Sequence, residues 1–228
     1  MTTIEFVAEP KAVTIDVAET AVIVIDMQKD FLYPNGFGEF LGNNVSLLQR
    51  AIVPIQKLLS AARAADMLVI HTREGHLPDL SDCPPAKLDR WEPGTRIGDM
   101  GPMGRILIIG EEGHGLIEEV APLPEEIVLD KPGKNAFYHT DLEAILQEKG
   151  IKNLFVCGVT TDVCCNATTI AANDCGYNAI VLADCVASYS EERHWATLAT
   201  IKAQGGIFGW VANSADVVAA LAAVQVHE

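Results

Sequence analysis

The chain has 228 residues, nearly half of them hydrophobic, with 31 acidic residues against 16 basic ones and a net charge of -15. This excludes a nucleic-acid binder, which needs a clustered basic face, and no apolar run reaches the ~20 residues of a membrane span. The size suits one domain, residues 1–228, that buries its own core without staples.

The predicted elements follow in chain order. Residues 1–19 are acidic and polar, without the basic start and apolar centre of a secretory signal. They read as an N-terminal extension, and the expected location is cytoplasmic. Ala21–Ile25 (AVIVI) reads as a buried strand, followed directly by Asp26. Asn43–Ala65 carries apolar residues at helical spacing, with Pro54 expected to kink it. Met67–His71 is a second strand. Residues 72–104 read as a long active-site loop rich in Pro, Gly and Asp, since loops of that length tend to be functional. Arg105–Ile109 is a short strand or a run packed under that loop.

Glu126–Leu129 is a strand and Asp141–Lys149 a helix. Asn153–Cys157 is a strand closed by Gly158, and Thr161–Cys175 a helix stopped by Gly176. Ala179–Ala183 is a strand, Ser190–Ala203 a helix, Ile207–Val211 a last strand and Ser214–Val224 a closing helix. Continuous apolar strands alternating with helices specify an α/β fold. A parallel sheet with helices on both faces is expected.

The six cysteines carry no C-x-x-C pair, so neither a disulfide framework nor a structural zinc is expected. In parallel α/β sheets, ligands sit outside the carboxyl ends of the strands. Three reactive residues satisfy that test. Asp26 follows the first strand, as either a paired buried carboxylate or a helix N-cap. Lys131 follows the Glu126–Leu129 strand in a Lys-Pro-Gly-Lys turn with Lys134, although isolated lysines are usually solvated. Cys164 falls in the first helical turn after Gly158, where free N–H groups stabilise a thiolate or an oxyanion. Cys165 is rotated about 100° away on the same helix. Together these residues supply a nucleophile, a positive charge and a base.

The strings Asp26-Met27-Gln28, the Lys131–Lys134 turn and Gly158-Val159-Thr160-Thr161-Asp162-Val163-Cys164 resemble the isochorismatase-like cysteine hydrolase superfamily, from about Ala21 to Leu221. Within it, His71–His76, Asp130–Lys134 and Gln204–Gly209 are most similar to biuret and triuret hydrolases. The similarity to ureidoacrylate amidohydrolases is looser. The resemblance implies a Rossmann-like three-layer sandwich with a six-stranded parallel sheet, and a homo-oligomer, often a tetramer. It implies an Asp26-Lys131-Cys164 triad, a cis peptide at Val159–Thr160, and an oxyanion hole from the amides of Thr160 and Cys164. Phe31, Lys134 and Gln204 match substrate contacts, and the implied substrate is a small neutral ureide. No cofactor is implied.

Nicotinamidases of the superfamily hold a metal on an Asp-x-His motif that this chain lacks, so no metal is expected. His71 and His76, with Asp79 and Asp82 nearby, read as structural. Arg73 and Glu74 either line the pocket or form a structural pair. A ureidoacrylate- or nicotinamide-type amidohydrolase of the same superfamily and a non-catalytic scaffold on the same fold are the competing readings.

Overall fold

A computed structural model describes residues 2–225. Its strands are β1 (Thr3–Phe6), β2 (Ala8–Glu9), β3 (Val13–Asp16), β4 (Thr20–Ile25), β5 (Leu68–Glu74), β6 (Met100–Gly101), β7 (Gly104–Arg105), β8 (Ile127–Lys131), β9 (Asn153–Val159), β10 (Asn178–Ala187) and β11 (Trp210–Ala212). The main sheet runs β2-β11-β10-β9-β4-β5-β8. It has seven strands rather than the expected six. The extra strand is β2, which pairs antiparallel with β11. It comes from the segment read as an extension. The other strands of this sheet are parallel to their neighbours.

Alternation explains how the sheet is covered. In β4, Val22 and Val24 face one core while Ala21, Ile23 and Ile25 face the other. Both faces are apolar, so β4 reads as an unbroken hydrophobic run. The helices are α1 (Lys29–Leu32), α2 (Phe37–Phe40), α3 (Ser46–Gln49), α4 (Ile52–Ala64), α5 (Pro85–Leu88), α6 (Leu142–Glu148), α7 (Asn166–Asp174), α8 (Glu191–Ile201), α9 (Ala203–Gly206) and α10 (Ser214–Gln225). Residues of α4 and α10 and of the β1–β3 hairpin share one core, and those of α6, α7 and α8 share the other. No described helix is long and apolar enough to cross a membrane.

Two expectations need correction. The stretch 43–65 is two helices, α3 and α4, rather than one kinked helix. Pro54 lies in the first turn of α4, where its missing N–H would have no intrahelical partner. The second strand does not stop at His71 but runs to Glu74, because Thr72, Arg73 and Glu74 stay paired with β8. The remaining loop holds α5 and the β6–β7 hairpin. Beyond β7, Ile106, Leu107 and Ile108 pack beneath the loop with Phe37, Cys83 and Ile97. All six cysteines are free thiols.

Candidate active site

Four adjacent strands, β9, β4, β5 and β8, end at one place. Each delivers a reactive side chain there. Asp26 follows β4 with φ +48, a left-handed turn that ends the strand. Its amide donates to Thr72 O at 3.1 Å, and its Oδ1 accepts from Thr72 Oγ1 at 2.7 Å. Lys131 ends β8 with no solvent exposure, and its Nζ lies 2.7 Å from Asp26 Oδ2. Lys131 Nζ also donates to Gly133 O at 2.9 Å and Lys134 O at 3.1 Å. The Pro-Gly turn thus wraps beneath the ammonium and uses its remaining donors. Burial opposes the charge on Lys131, but Asp26, Cys164 and Glu74 together outweigh it and lift the group above the ordinary lysine range.

Cys164 lies in a π-helical turn, Thr161–Cys165, where Cys165 N donates to Thr160 O five residues back. The expected α-helix begins only at Asn166. Gly158 makes the close approach of β9 to β4 achievable. A Cβ there would meet Ile25 O at 2.0 Å, and its φ is +110. The peptide Val159–Thr160 is cis. Cys165 is buried and does not line the cavity at the site.

Glu74, at the end of β5, is the residue that sequence reasoning left undecided. It does not pair with Arg73, whose guanidinium instead grips Asp130 at 2.7 and 3.0 Å. Cys164 Sγ lies 3.5 Å from Glu74 Oε2, in donor geometry. Lys134 Nζ contacts Glu74 Oε1, and Lys87 Nζ lies 3.5 Å from the same oxygen. Gln28 holds the backbone here, donating to Glu74 O at 3.0 Å and accepting from Glu74 N at 2.7 Å. Burial would raise the Glu74 carboxyl, but the charges of Lys131, Lys134 and Lys87 outweigh it and hold it down at about 2.

Asp26 and Glu74 face three ammonium groups. With the thiol protonated, one positive charge is left over, which suits a thiolate or an oxyanion. Burial pushes the Cys164 thiol well above its ordinary value; Lys131 opposes this and Asp26 reinforces it. That direction favours the protonated thiol over the thiolate.

Oxygen atoms of Asp26 and Glu74 and Cys164 Sγ lie within 4.8 Å of one another, a spacing that suits a metal ion. The Lys131 ammonium already lies against Asp26 and those of Lys134 and Lys87 against Glu74, so the donors already face cations. His71 pairs with Glu126 at 3.2 Å, and His76 Nδ1 lies 3.2 Å from Asp82.

A cavity of about 630 Å³ opens above Cys164. Phe31, Lys134 and Thr160 line it, as do Phe37, Leu41, Trp91, Ile97, Leu107 and Tyr189. Gln204 does not. It is exposed in α9, with φ +52, between α8 and the start of β11, and within one chain it does not reach the site. Lys87 and Arg90 also line the cavity, and sequence reasoning missed both. They lie in or beside a four-residue helix within a loop, where no periodicity marks a facing side.

The sequence matches the isochorismatase domain family over residues 20–216. It is 31% identical to the ureidoacrylate amidohydrolase RutB of Azorhizobium caulinodans, over 97% of this chain and 98% of that protein. Its structure is similar to that of a cysteine hydrolase from Pseudomonas syringae pv. phaseolicola, at 30% identity and a TM-score of 0.79, covering 92% of this chain and 95% of that one. An isochorismatase family protein from Desulfovibrio vulgaris shares the fold at 24% identity and a TM-score of 0.75, covering 90% of this chain and 98% of that one. With a Cys, an Asp and a Lys converging at the strand ends, the chain belongs to the isochorismatase domain family of hydrolases.

Proposed function

We propose that this chain is a cysteine-dependent amidohydrolase that cleaves a C–N bond of a small linear ureide. The observation that carries the reading is the meeting of Cys164, Asp26 and Lys131 in a buried site with one positive charge in excess. Cys164 Sγ attacks the carbonyl carbon while Asp26 takes the thiol proton. Lys131 Nζ, 2.7 Å from Asp26 Oδ2, holds that carboxylate in place. The amides of Thr160 and Cys164 receive the oxyanion. Collapse breaks the C–N bond, the nitrogen leaves with the proton held by Asp26, and the thioester that remains is hydrolysed by water, Asp26 taking a proton from the water and returning it to the departing sulfur. Phe31 stacks on the planar ureide and Lys134 donates to a carbonyl.

Biuret and triuret are the substrates suggested by the sequence strings. A second reading, a ureide with an acidic tail, has its own support. The cavity is much larger than biuret needs, and its wall carries Arg90, whose guanidinium suits a carboxylate, beside Arg193, which is held by Asp162 at 2.9 Å. The relative from Azorhizobium caulinodans is named for such a compound.

Ammonia release from biuret, triuret, ureidoacrylate and nicotinamide separates these readings. Turnover of a ureide is expected, and silence on all of them sinks the substrate class. Cys164→Ser is expected to lower turnover at least about 1000-fold with the fold intact. Full activity in that variant removes Cys164 as nucleophile.

A further inference from the structure

We propose that His194 is a positioning residue for the reaction: through Thr161 it holds the π-helical turn that carries Cys164 and the amides assigned to the oxyanion. This role presupposes the amide-hydrolase reading above.

The turn Thr161–Cys165 has few bonds of its own. Val163 N donates to Thr160 O at 3.2 Å, and Cys165 N donates to the same oxygen at 3.1 Å. Single π-turns are rare and cluster at functional sites, so the geometry of this one has to be held from outside.

Helix α8 supplies that hold. Two successive residues of its first turn reach two successive residues of the π-turn. Arg193 Nε donates to Asp162 Oδ2 at 2.9 Å, and His194 Nδ1 lies 2.9 Å from Thr161 Oγ1. The two links differ in weight. The Arg193 side chain is 62% exposed, so water screens its ion pair. Thr161 has no solvent exposure, and its hydroxyl pairs with His194. Breaking that link strands a buried hydroxyl, and the turn must shift to satisfy it.

The imidazole is itself held in place. The Trp195 indole stands nearly perpendicular to it, at 82° and 4.7 Å between ring centroids. Ser190 caps α8 by accepting from Arg193 N at 3.2 Å, and Ser190 N donates to Ser188 Oγ at 3.1 Å. Ser188 lines the cavity above Cys164. The start of α8 is thus tied to the cavity wall on one side and to the π-turn on the other. Burial favours the neutral form of His194, with Asp162 and Glu191 opposing. In that form Nδ1 either accepts the Thr161 hydroxyl proton or donates its own, and both keep the link.

The consequence is geometric. Donors stabilise an oxyanion only when they lie about 2.7–3.1 Å from it, and a misplacement of about 1 Å can cost about 100-fold in rate. Thr161 lies between Thr160 and Cys164 in the chain, so its loosening moves both amides relative to the sulfur. Neither Thr161 nor His194 lines the cavity. Substrate binding therefore stays, and the rate of the bound complex falls.

The test uses acylation by p-nitrophenyl acetate, read as a burst of nitrophenolate that Cys164→Ser abolishes. It reports on the same sulfur and amides without a ureide. His194→Leu is expected to slow the burst, and kcat on a ureide, about 10- to 100-fold, with KM changed less than about threefold. His194→Asn, whose amide places a hydrogen-bonding atom where Nδ1 stood, should recover most of the loss. Thr161→Val should match His194→Leu, and the double variant should be no slower than either single one, because one link can be removed only once.

Additive losses, or equal losses in the Leu and Asn variants, overturn the proposal. A lower melting temperature with an unchanged burst shows a structural role only and also overturns it. If His194→Leu does not fold, Thr161→Val against Thr161→Ser, which keeps the hydroxyl, decides the same point. A wild-type burst without ureide turnover sinks the ureide reading and leaves the burst series to decide the role of His194. A wild type that neither bursts nor turns over a ureide overturns both.

Discussion

Replacing Glu74 by Gln removes a buried negative charge from among three lysines and keeps the shape of the side chain. A carboxyl that ionises at about 2 in the folded chain and near 4.5 when exposed favours folding at neutral pH by about 3 kcal/mol, at about 1.4 kcal/mol per tenfold change in acidity. Because the folded value is the lower one, this contribution is full above the exposed value and fades as pH falls through the folded one. Urea unfolding of both proteins across pH reads the difference directly. Glu74→Gln is expected to be less stable by about 3 kcal/mol at neutral pH, with the gap closing between about pH 4.5 and about pH 2. A gap of constant size would mean that packing rather than charge is responsible. No gap at neutral pH would mean that the lysines do not depend on Glu74 for compensation.

Two further variants test the frame of the site. Lys131→Met leaves Asp26 buried without a counter-charge and should cost about 3–5 kcal/mol; adding Asp26→Asn should recover part of it, and a single variant as stable as wild type would contradict the pairing. Gly158→Ala drives a methyl group into Ile25 O at a backbone angle that alanine resists, and thermal melting should show a loss of about 3 kcal/mol; an unchanged melt would refute the close approach of β9 to β4.

The central strands were legible because both faces of the sheet are covered. Ile23 and Val24 must both be apolar although they face opposite sides. Asp26, Lys131 and Cys164 were legible for the same reason, each a polar group at or just past the end of an apolar run. Glu74 was not singled out because β5 turns polar at His71 and continues to pair through Thr72 and Arg73. Hydrogen bonding to β8 extends that strand, and apolar pattern cannot report it. Lys87 reaches the site through tertiary placement of a short helix, and β2 is a two-residue edge strand with no pattern of its own. Gln204 was assigned by resemblance, and the backbone of one chain carries it to the far end of α8.

The row of strands β9-β4-β5-β8 has a consequence for how the folded chain can be counted. Within each pair the register is fixed, with Ile25 opposite Gly158 and Glu74 opposite Lys131. A slip of one residue in any of these pairings turns the slipped strand's side chains to the other face. The slipped molecule would keep its helices, its compactness and most of its apolar burial, yet it would no longer bring Cys164, Asp26, Glu74 and Lys131 together. Under the proposed function, a stoichiometric burst from Cys164 would count correctly registered molecules, which a spectrum of secondary structure cannot distinguish from slipped ones. The proposed chemistry would then be a more stringent assay of folding than any measure of helix content or compactness.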